Sequence, residues 1–186
     1  MIGKAVLISI RPKWCALISK GEKTIEVRKT APKLPTPFKC YIYCTKDPGK
    51  FEEVRVQPCN RVLVAQGKVI GEYICDEVYK FSTRVYLGEE QKISDEEIVK
   101  KSRVSRQELR SYEGRRQGIF GWQISDLVIY DTPKKLSEFD GICSKKVLTD
   151  CECGACKRLL ENGNGHCPMD SLKRAPQSWR YVEELA

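Results

Sequence analysis

Lys23, Glu26 and Arg28 fall within the stretch Gly21-Glu22-Lys23-Thr24-Ile25-Glu26-Val27-Arg28-Lys29. Two cations around one carboxylate suit several kinds of work. They can bind an anion while the acid reads a hydrogen-bond donor. They can share proton transfer in a hydrolytic site. They can also be an ion-pair network, in a barrel wall or on a solvated edge. The apolar residues Ile25 and Val27 alternate with polar ones, which predicts a strand with Thr24, Glu26 and Arg28 on one face. In a binding cleft, Arg28 would clamp Glu26 by a bidentate bond. Glu26 would then accept from a base amine such as that of cytosine. Arg11, Lys13, Lys23 and Lys29 would meet phosphates. For catalysis Lys23 would need a lowered pKa, which an adjacent carboxylate opposes. Single-stranded RNA also needs exposed rings for stacking. Trp14, Tyr41, Tyr43, Tyr112 and Trp122 are the candidates, and each ring is as readily a core residue. Trp14 is the best placed, beside Arg11, Pro12 and Lys13.

A second constellation lies near the other end. Cys151-Glu152-Cys153-Gly154-Ala155-Cys156 and His166-Cys167 form a C-x-C-x2-C…H-C arrangement, with Cys143 upstream. A C-x2-C element lets two thiolates bind one tetrahedral metal. The reading is a closed structural zinc site on Cys153, Cys156 and Cys167, with Cys151, His166 or Cys143 as the fourth ligand. A redox-labile loop and an iron–sulfur cluster are the alternatives. Metal would order a segment with too little apolar content to order itself. The other five cysteines, Cys15, Cys40, Cys44, Cys59 and Cys75, read as small buried hydrophobes.

The chain that must position these residues has 186 of them, 41% hydrophobic, with a formal net charge of +8. The first 50 residues hold eleven Lys and Arg against three acids, and the remainder is balanced at 22 of each sign. One basic segment on a neutral body fits a face for polyanions. No apolar run approaches the roughly 20 residues that span a bilayer, and no signal peptide is apparent. The expected setting is cytoplasmic, without membrane contact.

Residues 5–10 read as a buried strand. A helix follows with Pro12 in its first turn and Gly21 at its end. Further strands are expected at 38–45, over 61–81 with breaks near Gly67 and Gly71, over 118–131 as one strand, and within SWRYVE. Ser94 with Glu97, and Ser105 with Glu108, are capping-box patterns for two short helices. Six or seven short strands with two or three short helices favour a small barrel or a strongly curved sheet.

The pattern Gly21-x-Lys23-x-x-Glu26-x-Arg28 resembles the signature of ASCH domains, in the PUA-like group. The turn Tyr112-Glu113-Gly114, the strand Gly121-Trp122-x-Ile124 and the close Pro133-x-x-Leu136-x-x-Phe139 also fit. The resemblance covers roughly residues 4–140, plus a PQSWRYVEEL ending similar to bacterial and phage members. It implies an α+β, mainly β fold, a PUA-like small β-barrel with two or three short helices. Residues 1–142 would form the barrel, 143–170 a metal-stabilised Cys-rich insertion, and 171–186 a segment returning to the barrel. The implied function is RNA or nucleotide binding in a basic cleft around Lys23, Glu26 and Arg28. One branch of the family implies an alternative, an amidohydrolase that removes an acyl group from modified cytidine nucleosides. It uses a Lys at the Lys23 position, a Thr where this chain has Glu26, and a later Glu, here Glu108 or Glu113. A regulatory protein-interaction module is the third reading.

Overall fold

The run Ala-Val-Leu-Ile-Ser-Ile has no polar stripe, and both of its faces are covered, as for a central strand. In the computed structural model this strand, β1 (Lys4–Ile10), is buried throughout beyond Lys4. Val6, Ile8 and Ile10 face the main core, while Ala5 and Leu7 pack on a second cluster with Phe139, Leu172 and Val182. The structure describes residues 3–47, 53–56, 61–63, 65–85, 87–88, 92–142 and 171–185. The proposed zinc ligands Cys143, Cys151, Cys153, Cys156, His166 and Cys167, with the rest of the 143–170 insertion, lie outside these residues, as does Cys59.

After β1 come α1 (Pro12–Ser19), β2 (Ile25–Arg28), β3 (Phe38–Cys44), β4 (Val54–Val56), β5 (Arg61–Leu63), β6 (Lys68–Cys75) and β7 (Val78–Phe81). Then follow α2 (Asp95–Ser102), α3 (Arg106–Glu113), β8 (Ile119–Gln123), β9 (Ser125–Lys134), a 3-10 turn at Leu136–Glu138 and β10 (Trp179–Glu183). A five-stranded sheet has the order β10-β1-β3-β6-β9, and a three-stranded sheet the order β2-β8-β7. β4 and β5 pair separately. β1 and β3 are parallel and the other pairs antiparallel. The fold is therefore α+β and mainly β, as expected.

The two sheets share strands through bends. β6 passes into β7 at residues 76–77, and β8 into β9 at Ile124, so a paired ribbon turns a corner from one sheet to the other. Corners of this kind close a core between crossing sheets. Trp122 lies at this corner, fully buried and edge-on to Phe38 and Trp179, each 5.9 Å away.

Residues 118–131, expected as one strand, are thus two. The bend is set beside Asp126, whose φ of 47° is left-handed. The expected break at Gly67 is a turn, but Gly71 lies inside β6. A Cβ there would meet the Val128 carbonyl at 2.2 Å. Gly71 therefore marks close approach of β9 at a register shift, not a strand end.

The helices begin where their caps predict. Ser94 accepts from Glu97 N, and Ser105 with Glu108 forms the reciprocal capping box. α1 has Pro12 at its first position and is followed by Gly21 with φ 72°. Cys15, Cys40, Cys44 and Cys75 are free thiols within the core. No helix among the described residues is long and apolar enough to cross a membrane.

Candidate functional site

β2 has its two faces buried against different things. Ile25 and Val27 pack with Ile98 of α2 and Leu109 of α3. Glu26 and Arg28, on the other face, border a cavity of about 400 Å³. Lys23, Glu26 and Arg28 are only 2%, 5% and 8% exposed. A solvated edge is therefore ruled out for these three. Thr24, expected on the same face, does not line the cavity. Its backbone ties β2 to its neighbours through Lys101 O and Ile124 N, each at 2.9 Å.

Lys23 Nζ has three acceptors: Ile25 O at 2.8 Å, Ser102 O at 2.8 Å and Glu26 Oε2 at 3.3 Å. Three acceptors match the three hydrogens of an ammonium. Burial leaves the pKa of Lys23 lowered overall; the Glu26 carboxylate opposes the shift without cancelling it, and the Arg28 charge adds to it. The side chain also holds the last carbonyl of α2, where a cation complements the helix dipole.

Arg28 Nη2 reaches Glu26 Oε1 at 2.9 Å and donates to Ser9 O at 2.6 Å. Its Nη1 approaches Ser178 Oγ at 3.4 Å, and its Nε is buried with no partner among the described residues. The expected bidentate clamp is not what forms. Glu26 divides its oxygens, one to each cation, because Lys23 is drawn inward by the two backbone carbonyls.

Around this floor stand Arg11 and Trp14 from the start of α1, Leu109 and Tyr112 from α3, and Gln177 and Ser178 before β10. Tyr112 is 38% exposed and Trp14 partly buried, so the rings form the outer walls. Lys13 lies over Trp14 at 4.4 Å and Lys29 over Tyr112 at 4.8 Å. Lys23 Nζ also lies over the Trp14 ring, at 5.1 Å. Tyr41, Tyr43 and Trp122 are buried in the core and are not stacking surfaces.

Of the residues proposed for catalysis, Glu108 does not reach the cavity. It is exposed, and its carboxylate is turned back on Ser105 to cap α3. Hydrogen bonds from the Ser105 side chain and backbone hold its pKa below the usual range. Glu113 is 1% exposed and also points elsewhere, accepting from Ser82 Oγ and from Thr83 N at 3.0 Å. Burial raises its pKa, but the Ser82 and Thr83 bonds outweigh that and lower it. Among the described residues, Glu26 is the one carboxylate on the cavity.

Sequence reasoning missed Ser9, Gln177 and Ser178. Ser9 N bonds to Ser178 O at 2.9 Å, and Ser9 Oγ donates to Pro176 O at 2.6 Å. This pairing carries the PQS stretch, over 160 residues away in sequence, onto the cavity rim. No local signal announces it.

No protein-family profile matches the sequence, and no curated protein is detectably similar to it. The fold does match solved structures. An ASCH protein from Zymomonas mobilis is 15% identical, with 95% of this chain and 86% of that one covered and a TM-score of 0.53. Two point mutants of the same protein match at 15% identity over 95% of this chain and 88% and 87% of theirs, each with a TM-score of 0.52. At this identity the likeness is one of fold.

Proposed function

We propose that this chain, which has the ASCH fold, binds RNA or a nucleotide through the cavity of Lys23, Glu26 and Arg28 without hydrolysing it. The observation that carries the reading is the arrangement of two aromatic walls, each with a lysine against its ring, above a buried cationic floor. Rings at the rim can stack a base, and flexible cations beside them can meet phosphates. A volume of about 400 Å³ is in the range of small-ligand pockets. Hydrolysis is disfavoured by the state of Lys23. All three of its hydrogens are committed within the protein, and no second acid of the described residues stands by to donate a proton.

The test is fluorescence anisotropy with single-stranded RNA across a salt series. Contacts from Arg11, Lys13 and Lys29 predict a log–log salt slope near −2, at roughly 0.7 per phosphate on a single strand. Trp14→Ala and Tyr112→Ala should each weaken binding by about 1–3 kcal/mol if a base stacks there. Binding unaffected by either aromatic substitution would overturn the reading.

A further inference from the structure

The charges on the cavity floor do not balance. Lys23 and Arg28 are both buried cations, and Glu26 is the one carboxylate among the described residues that pairs with either. The three hydrogen-bond acceptors around Lys23 Nζ call for the ammonium form, so its charge is retained. The floor is left with one net positive charge largely shielded from water. An uncompensated buried charge is costly, and buried charges are normally paired. Arg28 Nε adds a donor without a partner. Ser178 Oγ, which accepts from Arg28 Nη1, still has its own hydrogen to donate. Glu26, by contrast, already has a cation on each oxygen.

We propose that the floor takes the anionic end of the ligand, a terminal phosphate monoester, and leaves the base at the rim between Trp14 and Tyr112. This rests on the nucleotide reading above and reverses the orientation in which Glu26 reads a base amine. An internal phosphodiester has chain on both sides and cannot enter the cavity end-on. A mononucleotide or a phosphorylated RNA end can. The ligand class is then nucleoside monophosphates or phosphorylated RNA termini, not continuous RNA.

The test is calorimetric titration of the intact protein at fixed ionic strength. The probes are the four nucleosides, their 5′-monophosphates, inorganic phosphate, and one RNA oligonucleotide with a 5′-phosphate or a 5′-hydroxyl. At least one monophosphate should bind about tenfold or more tighter than its nucleoside, and the phosphorylated oligonucleotide tighter than the hydroxyl form. Preference for the mononucleotide over the phosphorylated oligonucleotide, or the reverse, identifies the source of the phosphate. Inorganic phosphate should raise the melting temperature more than chloride does, by linkage. Arg28→Gln should abolish the preference for the phosphorylated form. The wild-type comparison stands on its own if that variant does not fold. Equal binding of nucleosides and monophosphates would overturn the inference and leave the nucleotide reading intact. Binding of inorganic phosphate without any nucleotide would keep the anion site and overturn the nucleotide reading.

Discussion

Glu26→Gln and Arg28→Gln break the same 2.9 Å ion pair, yet they should not cost the same. Removing Glu26 leaves Lys23 and Arg28 buried without a counter-charge. Removing one partner so that a buried charge stands alone costs about 3–5 kcal/mol. Removing Arg28 leaves Glu26 still paired with Lys23 at 3.3 Å. Its main local loss is the bond to Ser9 O, now an unsatisfied buried carbonyl, at about 1–3 kcal/mol. The charge imbalance disappears with it. The expected gap is about 2 kcal/mol, with Glu26→Gln the worse. For a chain of 186 residues that is a difference of roughly 4–8 °C in melting temperature. Urea denaturation of both variants and of the double variant measures it. The double variant should be more stable than the sum of the singles by at least about 1 kcal/mol, since the residues are in contact. Phosphate should also stabilise Glu26→Gln more than the wild type, because the floor then carries a second uncompensated charge. If Arg28→Gln is as damaging as Glu26→Gln, the floor is not over-charged, and the reasoning from charge balance fails.

Burial pushes the Cys75 thiol up to about 12, and burial also raises Cys40 and Tyr73. Native values above the unfolded ones mean that the folded state holds more protons at high pH. This contribution is whole below the unfolded thiol value near about 8.5 and is lost as pH rises toward the native one. Stability from urea melts should therefore fall between about pH 8.5 and 11, less steeply in Cys75→Ala; a flat profile would contradict it. The Cys151, Cys153, Cys156 and Cys167 cluster predicts about one zinc per purified chain by elemental analysis, and partial loss of stability on chelation. Metal-free protein whose cysteines all titrate as thiols would exclude that site.

Much of the framework was legible because local chemistry decides it. The apolar run of β1 and the Ser94 and Ser105 caps name their elements without knowledge of the fold. The failures share one cause. Ile124 lies where a strand leaves one sheet for another, and Gly71 where β9 crowds β6 at a register shift, and both features depend on a neighbouring strand. Gly71 reads as a strand break in the sequence. Only the nearness of Val128 O, at 2.2 Å from a would-be Cβ, explains it as close packing.

The site divides in the same way. Residue types in the Lys23–Arg28 stretch pointed to the face of β2 that borders the cavity, because period-two alternation fixes which side chains share a face. Alternation says nothing about how deep that face lies or what closes it. Closure comes from α3 and from the PQS stretch held by Ser9, both remote in sequence. Closure matters chemically because it changes the job of each charge. On an open surface, Lys23 and Arg28 would be solvated cations for phosphate, and Glu26 a free acceptor. Beneath Trp14 and Tyr112, Lys23 is a strut between β2 and the end of α2, and Glu26 is held between two cations. Arg28 alone keeps an unspent donor. Three residues that look equivalent in sequence therefore have one member with an unpartnered donor and two whose polar atoms are already paired within the protein.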